Sequence, residues 1–260
     1  MKTTVVSTSI FAAQVAIAAA AAVAWEFVSR RGIVNPELLP PLSDVLATLW
    51  QLLHDPRFLA DLRVTAVEVL VSFLIVAPTS IVLGFFLAET PAVARLVNPV
   101  FHALMAIPKS IFLPIFILAL GIGFTQKIVF GAVLAFFVIV VYAEAAVASV
   151  PSGFVTLGRA IGASRGQIYA RIYLPAMLPL IIAGLRIGFI FVVTGVLLAE
   201  MYSAPVGVGR AIVHWGEYYE IRKLLAAVLL IVFACIVINQ LLEAWERSSG
   251  TGRFNFGAIA

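Results

Sequence analysis

Lys109 and Arg186 are the residues of this chain whose setting most demands a chemical account. Each falls about eleven residues into a long apolar run, and at about 1.5 Å of rise per helical residue each would sit about 16 Å deep in a bilayer. That is close to the midplane of a hydrocarbon core about 30 Å thick, where a charge costs at least about 2.5–3.5 kcal/mol unless it meets a partner or water. Two readings follow. In one, the pair faces a central pathway and favours an anionic solute. In the other, the two side chains snorkel, or they bond to backbone carbonyls freed by Pro108 and Pro114. The same count puts Glu68 and Glu200 near one membrane surface and Glu144 near the other, so no carboxylate is expected at the cations' own depth.

Other chemistries find little footing. Glu68, Glu144 and Glu200 are isolated in the sequence, and His54, His102 and His214 lie in separate segments without metal-ligand spacing. Cys235 is the only cysteine, set inside "VLLIVFACIVI", which suits a small packing residue. A nucleotide-driven pump needs the phosphate-cradling pattern G-x-x-x-x-G-K-[ST], and the chain has no Gly-Lys dipeptide. The glycine pair in "GVG", Gly207 and Gly209, reads as a turn in an outer loop. No catalytic set, metal site or cofactor of the chain's own is expected.

The elements that must position these residues are membrane helices. Of 260 residues 63% are hydrophobic and only 12% charged, about half the charge of a soluble domain. Such a chain is an integral, all-α helical bundle, because open strands cannot satisfy their backbone groups in lipid. The basic residues are scattered between apolar spans, which suits loop anchoring and not nucleic acid. Six spans of sufficient length are expected, at Ile10–Val28, Val64–Ala88, Pro99–Leu120, Ile128–Val150, Pro175–Ala199 and Leu224–Trp245. The first, with Lys2 before it and an Ala-x-Ala at Ala22–Ala24, fits either a cleaved leader or a retained anchor; five further spans favour the anchor. Lysines and arginines divide too evenly between the two sides to fix the orientation. Pro36, Pro40 and Pro41 impose extended chain before an amphipathic helix at about 43–54 on the outer membrane face, capped by Ser43 or Asp44.

Between the fourth and fifth spans the chain turns polar, over about 152–174. Ser152 is a candidate N-cap, and Phe154, Leu157 and Ile161 form an apolar stripe at helical spacing. Gly162-Ala163 breaks that helix. Ser164 with Gln167 three residues on is a capping-box pattern that starts a second helix. Arg159, Arg165 and Arg171 lie here, while no Asp or Glu occurs between Glu144 and Glu200. On physical grounds alone this elbow suits lipid headgroups or a protein partner equally well.

The stretch "GASRGQIYARIYLPAMLPLIIAGLR" resembles the cytoplasmic loop of ABC-importer permeases, in which a Glu-Ala-Ala triplet precedes a glycine and a later Leu-Pro. Gly162 matches that glycine, and Leu174-Pro175 matches the Leu-Pro. The triplet would fall on Thr156, Leu157 and Gly158, so the chain departs from it and lacks the glutamate for a salt bridge to an ATPase. Similarity extends to "LLPPLSDVLATLWQL", "NPVFHALMAIPKSIFLPIFILALGIGFTQKI" and "AEMYSAPVGVGRAI", and is nearest to permeases for taurine, alkanesulfonates and nitrate.

The resemblance implies a type I permease fold, a single domain over 1–260, in the bacterial cytoplasmic (inner) membrane. It further implies a homodimer, two cytoplasmic ATPase subunits that carry the ATP and magnesium, and a solute-binding protein outside. The coupling elbow would be Thr156, Leu157, Gly158, Arg159, Ala160, Ile161, Gly162, Ala163, Ser164 and Arg165. Sulfonate, nitrate, carboxylate and an uncharged or pyrimidine-type solute all stay open. The competing class is a stand-alone secondary transporter, marked by inverted repeats and a buried coupling acid; the sequence displays neither.

Overall fold

Every regular element in the computed structural model is a helix or helical turn among the residues it describes, the backbone of 2–248 and the side chains of 13–244. In chain order these are α1 (Lys2–Arg30), α2 (Leu42–Leu52), α3 (Pro56–Glu89), α4 (Pro91–Ala106), a 3-10 turn (Lys109–Phe112) and α5 (Leu113–Leu120). There follow α6 (Phe124–Ala148), α7 (Ser152–Ala160), α8 (Arg165–Ile168), a π-helical turn (Tyr169–Tyr173), α9 (Leu174–Ser203), α10 (Val208–Glu217) and α11 (Ile221–Ser248). Among the described residues four helical stretches are long and apolar enough to cross a membrane: Pro56–Glu89, Phe124–Ala148, Arg165–Ser203 and Ile221–Ala244. The first expected span lies on α1.

The third expected span is not one straight rod. Its two parts, Pro91–Ala106 and Lys109–Leu120, meet at 87°. The cause is local: a residue before proline is pushed out of the α region, and Ile107 before Pro108 is extended at φ −79°, ψ 131°. Counting depth along a straight helix therefore does not apply to Lys109; Arg186 lies within the continuous α9.

The contacts divide the chain into two compact units. One comprises Met1–Asp61 with Ala211–Val232. Within it, α2 begins at Leu42, and neither Ser43 nor Asp44 serves as its cap: Pro41 holds that position without a side-chain bond. The acceptor comes instead from α1. Glu26 takes the Ser43 N–H at 3.1 Å and the Ser43 hydroxyl at 2.9 Å, placing a carboxylate at a helix N-terminus, where the helix dipole favours negative charge. Val45 and Leu52 are buried beneath α2, and Asp44 pairs with Arg222 at 3.5 Å.

The other unit comprises Leu62–Arg210 with Phe233–Ala260. Its core is a seam between α6 and α9. Val192 and Val196 pack with Ala135 and Ile139, joined by Val69 and Val76 of α3. Glycines allow the close approach: a Cβ on Gly195 would lie 2.7 Å from the Gly131 Cα, and one on Gly184 would lie 3.0 Å from the Tyr142 ring. Gly184 and Gly188, a small-xxx-small pair, are thus used inside this chain, against Tyr142 and Ile139 of α6. A second cluster, Leu113, Phe130, Leu134 and Ala199, fixes α5 on the same seam.

Candidate functional site

The polar segment between α6 and α9 folds back on itself as an elbow. Helix α7 starts at Ser152, with Pro151 in the cap position and no side-chain cap, so Ser152 is not the N-cap. At its other end Gly162 takes a left-handed φ of +79°. The Gly162 N–H donates to Arg159 O and the Ala163 N–H to Gly158 O, each at 3.0 Å, a Schellman closure that satisfies the last carbonyls of α7. The Ser164–Gln167 capping box then forms in both directions. The Gln167 N–H donates to Ser164 Oγ at 3.3 Å and the Ser164 N–H to Gln167 Oε1 at 2.8 Å.

What the elbow buries differs from what its sequence stripe suggests. Val155 and Gly158 face inward, and Gly158 lies against Ile168 and Ile172. Phe154, Leu157 and Ile161 face outward, with Leu157 58% and Ile161 75% exposed. Thr156, Arg159, Ala160, Ser164 and Arg165 are exposed as well, and Ala163 is half-buried. The result is an apolar, arginine-flanked crest on a fold held by its own small residues. Beyond it, the π-helical turn stacks Tyr169 on Tyr173 at 4.9 Å, and Tyr169 Oη reaches Glu89 Oε1 at 3.5 Å.

The two cations expected to share a pathway have separate partners. Lys109 Nζ stands 5.8 Å from the centre of the Phe137 ring. Arg186 Nε donates to Asn239 Oδ1 at 3.0 Å across to α11. Asn239 escaped the sequence reading, although a polar Asn-Gln pair late in an apolar span was the available signal. Glu144, read as isolated, accepts from Asn98 Nδ2 at 2.7 Å.

The larger correction concerns Glu68 and Glu200. They are not isolated: they are 1% and 0% exposed, and Lys127 is 3% exposed beside them. Lys127 Nζ pairs with Glu68 Oε1, and the Glu68 and Glu200 carboxyls come within hydrogen-bonding range of each other. Thr65 donates to Glu200 Oε1 at 2.7 Å, and the Gly209 N–H donates to Glu200 Oε2 at 2.7 Å. The Val208 N–H in turn donates to Thr65 Oγ1 at 2.9 Å. The "GVG" segment is therefore a turn, as its composition suggests, and its Gly209 amide holds a carboxylate of the same chain. Gly207, at φ +120°, makes that turn.

The described residues thus form a multi-pass helical bundle with a basic elbow between two long helices. The chain belongs to the family of binding-protein-dependent transport system inner membrane components, whose pattern its residues 80–249 match. It is a permease subunit of an ABC importer. It is 27% identical over 237 residues to the taurine transport system permease protein TauC of Escherichia coli K12, covering 86% of this chain and 83% of that one. It is 30% identical over 188 residues to the formylaminopyrimidine transport permease protein ThiX of Halalkalibacterium halodurans, covering 72% and 74%. An inward-facing structure of the MetNI methionine ABC transporter has the same fold, with a TM-score of 0.58 at 22% identity over 83% of this chain and 99% of that one.

Proposed function

We propose that this subunit forms the path for a small anionic solute and is driven through its elbow by separate ATPase subunits. The observation that carries this reading is the exposed crest Phe154–Leu157–Ile161, flanked by Arg159 and Arg165 and locked by Gly162 and the Ser164–Gln167 box. Exposed apolar side chains on a rigid, self-capped turn suit a protein groove, because a partner then buries them without first ordering them. In this account two ATPase subunits bind ATP and magnesium, two permease copies pair, and a solute-binding protein delivers from outside. ATP binding pulls on the elbows and shifts the spans between inward- and outward-open states, to the extent that each ligand prefers one state.

The anionic preference rests on Lys109 and Arg186, and on the likeness to a taurine permease. A relative named for a formylaminopyrimidine makes the neutral solute the necessary comparison. The test has two parts. Deleting Leu157–Gly162 should leave an inserted protein that no longer retains or stimulates an ATPase, and normal coupled import by that variant refutes the elbow assignment. Lys109→Met and Arg186→Met should each reduce sulfonate uptake, and unchanged uptake in both refutes the anion pathway.

A further inference from the structure

The buried cluster at α3, α6 and α9 has a charge imbalance that transport through an elbow leaves unexplained. Those three helices present Glu68, Lys127 and Glu200 to it, two carboxylates against one ammonium, all at most 3% exposed. Lys127 engages Glu68 Oε1 only, and no donor reaches Glu68 Oε2. Glu200 already accepts from Thr65 on Oε1 and from Gly209 on Oε2. Both are bonds that an ionised carboxylate makes best. Yet Glu68 points its own carboxyl at Glu200, and two facing carboxylates repel unless a positive charge lies between them. Next to Lys127 in α6, Gln126 is also 1% exposed, with neither amide atom partnered. An interior with orphaned oxygens and one uncompensated negative charge is an incomplete site.

We propose that the Glu68–Lys127–Glu200 cluster is a binding site for one further monovalent cation, a proton or a sodium ion, seated between Glu68 Oε2 and Glu200. A proton there forms one O–H bond on Glu68 and donates to Glu200. A sodium ion takes the same two carboxylate oxygens as ligands. In both cases the cluster becomes neutral, and Glu68 Oε2 gains the partner it lacks. The occupant also removes the repulsion between Glu68 and Glu200, so cation loss pushes at the carboxylate that accepts from the Gly209 amide and loosens the turn at Gly207–Gly209. The site is independent of the elbow and of the anion pathway, and its failure would touch neither.

The test uses the full-length chain in lipid nanodiscs, in wild-type, Glu68→Gln and Glu200→Gln forms. Glutamine at 68 keeps the shape, supplies a donor towards Glu200 and removes the excess charge, so this variant is expected to fold and to need no cation. If the occupant is a proton, the wild-type infrared spectrum contains a protonated-carboxyl band that shifts in D2O and is lost in both variants. If it is sodium, exchanging choline for saturating sodium at constant ionic strength raises the wild-type melting temperature by about 5 °C or more, and the Glu68→Gln shift vanishes. Either result supports the site. A wild-type protein with neither band nor sodium-dependent shift overturns it. Should Glu68→Gln fail to fold, Glu200→Gln carries the same comparison.

Discussion

Thr65 and Glu200 lie 135 residues apart and meet through a 2.7 Å hydrogen bond wholly inside the protein. The same Thr65 oxygen accepts from the Val208 N–H at 2.9 Å, so a single hydroxyl serves α3, α9 and the start of α10. Thr65→Val keeps the shape and leaves a buried amide and a carboxylate oxygen short of a partner. It should cost about 1–3 kcal/mol, while Thr65→Ser should stay near wild type. Thermal unfolding in detergent or nanodiscs measures both.

Lys127 is paired with Glu68 where water does not reach. Removing one partner of a buried pair strands the other, at about 3–5 kcal/mol. Lys127→Met is therefore expected to be among the most destabilising single changes in this unit. The double variant Lys127→Met/Glu68→Gln should recover part of the loss, and a double-mutant cycle of unfolding midpoints reads the coupling.

Gly195 and Gly153 make a contrasting pair. A methyl group on Gly195 would sit 2.7 Å from the Gly131 backbone, whereas one on Gly153 meets nothing within 4 Å. Gly195→Ala should cost about 1–3 kcal/mol through overpacking. Gly153→Ala, in the exposed helix α7, should be neutral or stabilise by up to about 1 kcal/mol. Expression level and melting temperature separate the two.

The elbow's rigidity is open to attack without touching its crest. Ser164→Ala removes the acceptor for the Gln167 N–H, a loss of about 0.5–2 kcal/mol at an N-cap. Gly162→Val forces a β-branched residue to φ +79°, costing about 1–2 kcal/mol or more. Both variants should insert normally. If the elbow is the ATPase contact, both should lower solute-stimulated ATP hydrolysis in the assembled transporter, Gly162→Val the more strongly.

Arg186 and Asn239 offer a separate handle on the pathway. Asn239→Leu removes the 3.0 Å acceptor of the guanidinium, worth about 1.5–3 kcal/mol for a bond to a charged group. Arg186→Met should raise the KM for an anionic solute by about tenfold or more if it loses about 1.4 kcal/mol of binding. It should leave the KM for a neutral solute unchanged. Uptake measured with both solute classes distinguishes a pathway cation from a structural one.

Sequence and structure agree where the determining forces are local. Gly162, Ser164 and Gln167 carried the elbow, since a left-handed turn and a capping box are decided within a few residues. The helical class and the four long spans among the described residues followed from unbroken apolar length. Pro108 signalled an irregular third span, but not its 87° bend, because the angle depends on where α5 packs. Glu68 and Glu200 looked isolated because different helices bring them together around Lys127. Their burial went unseen because a count from span ends locates a residue along its axis and says nothing of which neighbour covers it. Asn239 was passed over for the same reason: its meaning lies in Arg186, on another helix.

The glycine contacts that weld α6 to α9 have a mechanical consequence. The elbow is the connection between these two helices, leaving one and entering the other. With Gly131 against Gly195 and Gly184 against Tyr142, the pair has no play for one rod to slide past its neighbour. If the elbow is the ATPase contact, a tug on it should therefore reach both at once, and the two should swing together as a stiff strut, carrying the far-end Glu200 fastening with them.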